Sequence, residues 1–348
     1  MLGRLPFVLL LATALVVAVL YVLNVPIPIS EDEAIHRELR QHATTAELDR
    51  RVSDALARQD VDDAVMYADI ATYMDRTLPP ATQARLAAAL STGATVVRNA
   101  AGFATGFVTG EGASIAELAG AVTSDITVVG DVRDIVHEGG NYLAGKNYNE
   151  LVLGLSVLGV AATGATIATG GGGVVARLGV SILKVAGRAG TLTADFARVL
   201  LRLVRDAVNT PELDRVLKTA NLRDATATEA AITAYARGLK QAQIFPVLER
   251  LGEIGRGAGP GESVRLLKYV RNTEDLDNIA VMSTRLGKKT RGIIELTGRT
   301  SLRAFKTTLN IVQFLVERIV AFGAWLLSLL GSAIGRRLVR AGVARVRA

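Results

Sequence analysis

The first apolar block runs from Leu5 to Leu23 without a charged residue. A helical crossing of a hydrocarbon core takes about 20 such residues. The block ends in Tyr21-Val22-Leu23-Asn24 and the stiff Val25-Pro26-Ile27-Pro28, with no small-residue cleavage site. Residues 1–30 therefore read as an uncleaved membrane anchor with a proline spacer. Arg4 precedes the block and Glu31, Asp32 and Glu33 follow it, which predicts a cytoplasmic N-terminus.

Residues 31–91 switch to a mixed pattern. Leu48, Val52 and Leu56, then Val61, Val65, Ala68, Ile70 and Tyr73, recur at three- and four-residue steps, the signature of helices with one buried face. Pro79-Pro80 interrupts the pattern and a further helix is expected over 81–90. The stretch predicts a polar helical hairpin suited to protein contacts.

Over 92–190 charges thin out and glycine rises. Leu151 to Val175 contains no ionisable group and is divided by Gly170-Gly171-Gly172-Gly173, a run that a helix interior disfavours. The expected arrangement is an apolar helical hairpin over 151–186, one helix at 151–169 and one at 174–186, turning at those four glycines. Gly154, Gly159, Ala161, Gly164 and Ala168 offer small surfaces for close packing. From 191 to 308 the stripes return, among them Leu213, Val216 and Leu217, and Val264, Leu267 and Val270. Gly255-Arg-Gly-Ala-Gly-Pro-Gly261 is expected to form a hinge between two of these helices. Ile319 to Gly335 is again uncharged, so 309–348 predicts a C-terminal transmembrane helix and a basic tail. No sustained alternation of period two appears, and the chain is expected to be mostly α-helical.

Composition sharpens the membrane reading. Half of the residues are hydrophobic but only 5% are aromatic, and 34 are glycine. Such a mixture suits helices packed through small residues. The formal net charge is +7, and the tail cations Arg336, Arg337 and Arg340 directly follow an apolar stretch. Their position identifies a membrane flank rather than a nucleic-acid patch, so no nucleic-acid partner is expected. Both termini are then cytoplasmic and the middle is extracytoplasmic, as in a bacterial inner-membrane protein. The chain has no cysteine, which removes disulfides, thiolate metal sites and a cysteine nucleophile.

Chemistry is sparse. The most unusual polar cluster is Asp125, Asp131, Asp134 and His137. Asp131 and Asp134 share a helix face, with His137 close by. Acid–base groups or cation ligands near the membrane would have this form. Acidic residues opening a helix after Gly130 have it too, because negative charge there favours the helix dipole. His36 and His42 stand six positions apart and make a poor chelate. No phosphate loop, G-x-S-x-G elbow or H-E-x-x-H helix is present. No catalytic residue, cofactor or metal ligand is therefore assigned.

Two stretches resemble known families. Asp125 to Gly159, with VVGDVRDIV, Leu143-Ala-Gly-Lys146 and LVLGLSVLGVA, resembles the pre-toxin linker module of bacterial polymorphic toxins, though without the proline that precedes the valine–glycine step there. The hairpin over 151–186 is similar in composition to the hydrophobic hairpin of pore-forming colicins. The sequence as a whole predicts a non-enzymatic envelope scaffold or partner-binding protein, in contact with the lipid bilayer and with a protein partner or further copies of itself. A membrane-perturbing protein that uses the hairpin is the alternative.

Overall fold

The computed structural model describes residues 31–91, 115–125, 128–169, 173–239 and 243–303, together with Val320. Apart from Val320 the two expected terminal spans lie outside these residues, as do Arg4, Arg336, Arg337, Arg340 and the turn glycines Gly170, Gly171 and Gly172. The protein is mostly α-helical, with no strand among the described residues. No helix among them is long and apolar enough to cross a membrane. The chain divides into two compact units, Met1–Glu38 with Arg303–Ala348, and Leu39–Leu302. The second contains every feature discussed below.

The helices, in order, are α1 (Glu31–His42), α2 (Thr45–Ala57), α3 (Val61–Tyr73), α4 (Pro80–Ala89), α5 (Ile115–Asp125), α6 (Val128–Leu143), α7 (Glu150–Thr169) and α8 (Gly173–Arg188). They continue with α9 (Ala194–Ala207), α10 (Thr210–Thr219), α11 (Ala225–Ala236), α12 (Phe245–Ala258), α13 (Pro260–Leu266), a 3₁₀ turn at Leu267–Tyr269, α14 (Thr273–Leu286) and α15 (Lys289–Thr297). Several starts are fixed by side-chain caps. Thr44 accepts from the Glu47 amide, Asp60 from Asp63 and Asn272 from Asp275, each satisfying an amide that the helix leaves open.

The apolar helix α7 lies at the centre. Every residue from Leu151 to Ala162 is buried, and α6, α8, α9 and α11 all pack against it. An all-round apolar helix needs such a sheath in water. The amphipathic helices supply it: Phe196, Leu200, Val204 and Ala207 of α9 and Ile232 of α11 turn inward. The expected hairpin is thus a pair of helices, Glu150–Thr169 and Gly173–Arg188, with residues 151–162 of α7 sheathed by protein. Gly173, expected in the turn, is the first residue of α8.

The turn expected over 255–261 is shorter in the structure. Helix α12 continues through Gly255 and Gly257 to Ala258, and the turn narrows to Gly259, whose φ of 96° suits glycine. The neighbouring glycines serve proximity. A Cβ at Gly257 would lie 2.5 Å from the Ser283 carbonyl oxygen of α14. The α8–α12 crossing is closer still. A Cβ at Gly179 would lie 1.9 Å from the Leu248 carbonyl oxygen, and one at Gly252 2.0 Å from that of Val175. The two backbones meet through reciprocal glycines, which no larger residue permits.

Candidate functional site

Two groups of ion pairs stand out in the Leu39–Leu302 unit. The first includes part of the sequence-derived cluster. Asp131 and Asp134 lie in the first half of α6 and face Lys184 of α8, whose side chain is fully buried. Lys184 Nζ stands 2.8 Å from Asp131 Oδ1 and 2.6 Å from Asp134 Oδ2. Arg188 donates to Asp134 from the same face of α8, and Ser156 Oγ of α7 lies 3.5 Å from that carboxylate. Gly159 of α7 makes the room, since a Cβ there would stand 2.3 Å from Asp131 Oδ2. Burial alone would raise the Asp134 carboxyl, but Lys184 and Arg188 outweigh it and hold the group below its usual range.

This arrangement corrects the expected cluster. His137 is exposed and stands beside Glu138, 3.3 Å away, rather than with the two aspartates. It falls on the solvent side of α6 because Val132 and Ile135 take the buried face. Asp125 closes α5, and its side chain lies outside the described ones. The missing partner was Lys184, the one lysine of α8, which shares its face with Arg177 and Arg188. With the side chains of Asp131 and Asp134 only 2% and 7% exposed and matched by cations, the group binds helices together and leaves no approach for a substrate.

The second group surrounds Arg291 of α15, whose side chain is 2% exposed. Its Nε donates to Glu262 of α13, Nη2 to Asp63 of α3, and Nη1 to Glu295 one turn along α15 at 3.0 Å. Glu295 also accepts from Lys268 Nζ at 3.0 Å, from the Tyr269 hydroxyl at 2.8 Å and from the Tyr67 hydroxyl. Arg265 Nη1 bridges Asp63 at 3.1 Å and Asp60 at 3.3 Å. The spacings Asp63–Tyr67 and Arg291–Glu295 place each pair on one helix face. Close contact between α3 and α15 is possible because Gly292 presents no side chain to Met66 and Ile70.

The electrostatics follow from crowding. Burial opposes charge on Glu295, yet Arg291, Lys268 and the two tyrosine hydroxyls overcome it and hold the carboxyl down to about 2. Burial and the Glu295 charge push both tyrosine hydroxyls above their usual range, so they remain donors. Burial pushes the Glu262 carboxyl up, with Arg291 pulling back less strongly.

Above this floor opens a cleft of about 700 Å³. Arg50, Arg51 and Arg58 line one side, Arg265 and Lys268 another, and Leu118, Ala189 and Thr191 form a wall without charge. Arg51 lies over the Tyr67 ring at 5.6 Å and donates to its hydroxyl at 3.2 Å. Sequence reading missed this site because its halves are far apart in the chain. Asp63 and Arg291 are separated by 228 positions, and each looks like an ordinary charge on a solvated face. Among the described residues, no group of His, Asp and Glu could hold a metal ion. No known family model matches the chain, and neither a curated protein nor a solved structure does.

Proposed function

We propose that the chain is a non-enzymatic, membrane-anchored binding protein of the bacterial envelope, held by the apolar segments at its ends. It would engage its partner through the cleft above Arg291. The observation that carries this reading is the cleft itself. Helices from 31–91, the stretch expected to make protein contacts, and from 191–308 meet there around a fixed floor of charges. Its 700 Å³ volume falls in the range of specific binding sites. The side chains on its floor are committed to one another, which suits recognition better than proton transfer or nucleophilic attack.

Introduced thiols test the reading cleanly, because the chain has no cysteine. A photo-crosslinker attached to Arg58→Cys should trap one defined partner in cells, while Arg223→Cys, exposed outside the cleft, should not. Equal adducts at both positions, or monomer at both, would defeat it. The anchor has its own test. The full chain should stay with membranes after alkaline carbonate extraction, and recovery in the soluble fraction would remove the membrane part of the proposal.

One observation favours a second reading, membrane perturbation by the central hairpin. Helix α7 is apolar on all sides and would be at home in lipid if its sheath opened. The full chain should then release dye from liposomes, and Gly164→Asp should abolish release. Intact liposomes at every protein concentration would end this alternative.

A further inference from the structure

The charges of the cleft are distributed unevenly with depth. The acids are low in it: the Asp63, Glu295 and Asp60 side chains are 11%, 15% and 27% exposed, and Arg291 and Arg265 occupy them. The cations Arg50, Arg58 and Lys268 stand at the mouth, 56%, 62% and 45% exposed. Asp54 is the one lining acid exposed to a similar degree, at 47%. A ligand entering from solvent thus meets mainly positive charge, with the compensating negative charge screened beneath.

Two of the three mouth cations, Arg50 and Arg58, are also cheap to redirect, while Lys268 keeps its 3.0 Å pair with Glu295 and adds its charge to the rim. Arg50 is engaged with Glu47 and Asp54 on its own helix surface, in the kind of exposed pair that contributes little. Arg58 reaches Asp63 at 3.9 Å, beyond hydrogen-bond distance. An incoming oxyanion can take up these guanidinium forks in bidentate hydrogen bonds, which are stronger than the contacts they replace. Ala189 and Thr191, which line the cleft without charge, leave the remainder of such a ligand an uncharged surface to rest on.

We propose that this cleft binds a multivalent oxyanion, a phosphate-bearing small molecule or headgroup, through Arg50, Arg58 and Lys268. The inference rests on the cleft being the binding site proposed above and adds the chemical class of what enters it. The phosphate could be carried by a soluble molecule or by an anionic lipid, and the test separates these sources.

The purified full chain in neutral detergent is titrated calorimetrically with inorganic pyrophosphate. It is also titrated with dihexanoyl phosphatidate and dihexanoyl phosphatidylcholine below their micellar concentrations. Pyrophosphate should bind at one site per chain. The combined variant Arg50→Gln, Arg58→Gln, Lys268→Gln should weaken it at least about tenfold. Arg198→Gln, on the exposed face of α9 outside the cleft, should leave it unchanged. Phosphatidate binding tenfold tighter than pyrophosphate, with phosphatidylcholine silent, assigns the lipid source; the reverse order assigns a soluble ligand. No saturable pyrophosphate or phosphatidate binding, or binding that the combined variant retains in full, overturns the inference, provided that its circular dichroism matches the parent. A partner trapped at Arg58→Cys without oxyanion binding refutes this inference alone. Oxyanion binding without a trapped protein refutes the protein-partner reading alone.

Discussion

The Lys184 and Arg291 clusters are built from the same materials and arranged to opposite ends. Each has a buried cation surrounded by carboxylates from distant helices. Around Lys184 the ammonium and the two carboxylates are buried in the core, with Gly159 removing the side chain that would keep Asp131 away and Arg133 and Arg188 pairing with Asp134 from the outside. Around Arg291 the acids outnumber the central cation, and the balance is restored by Lys268 and Arg265 at the edge of an open cleft. A charge cluster closed on all sides fixes helix positions. One with a surplus of partners on its open side can also meet a ligand.

That contrast can be broken experimentally, and the largest effect is expected at its sealed end. Lys184→Met would leave two carboxylates buried without their main cation and should cost about 3–5 kcal/mol, read from urea unfolding of the full chain in mild detergent. A loss under 1 kcal/mol would mean that the cluster is solvated rather than sealed. Acid should act on the other cluster as well. Glu295 ionises at about 2 in the fold, below the ordinary carboxyl value of 4.5. Its contribution is therefore fully present above pH 4.5 and lost as pH falls toward 2, on the order of 3 kcal/mol. Glu295→Gln should flatten that part of the stability profile, and an unchanged acid slope would count against the assignment.

Gly159→Ala should cost about 1–3 kcal/mol by pushing its new methyl into the Asp131 carboxylate, and Asp131→Ala in the same chain should recover part of that loss. Additive losses would show that the two positions do not touch. The smallest effect belongs to the cleft mouth. Arg58→Gln should change stability by no more than about 0.5 kcal/mol; a melting temperature several degrees lower would make Arg58 part of the scaffold instead.

Much of the helical order was legible because stripes such as Leu48–Val52 and Leu213–Leu217 state their period directly. The apolar character of α7 was equally visible, but an uncharged run reads alike whether lipid or protein surrounds it. What decides for the described structure is the inward stripe of α9, contributed some forty positions later. Glycine misled for a related reason. A glycine needed for a turn, such as Gly259, and one needed for contact, such as Gly257, are the same letter. Asp131 and Asp134 were found because they are neighbours in sequence, whereas Lys184, Arg291 and the cleft depend on pairings across 50 to more than 200 positions.

The sheath around α7 has a consequence for how the protein is made. Of the covering helices among the described residues, α6 alone precedes it in the chain; α8, α9 and α11 emerge afterwards. At ordinary rates of translation the ribosome needs several seconds to complete them. During that interval the most apolar helix of the described structure is synthesised but not yet enclosed, and a chaperone or the insertion machinery has first access to it. The enclosure of α7 is thus completed only once α11, more than fifty positions further along the chain, has been made.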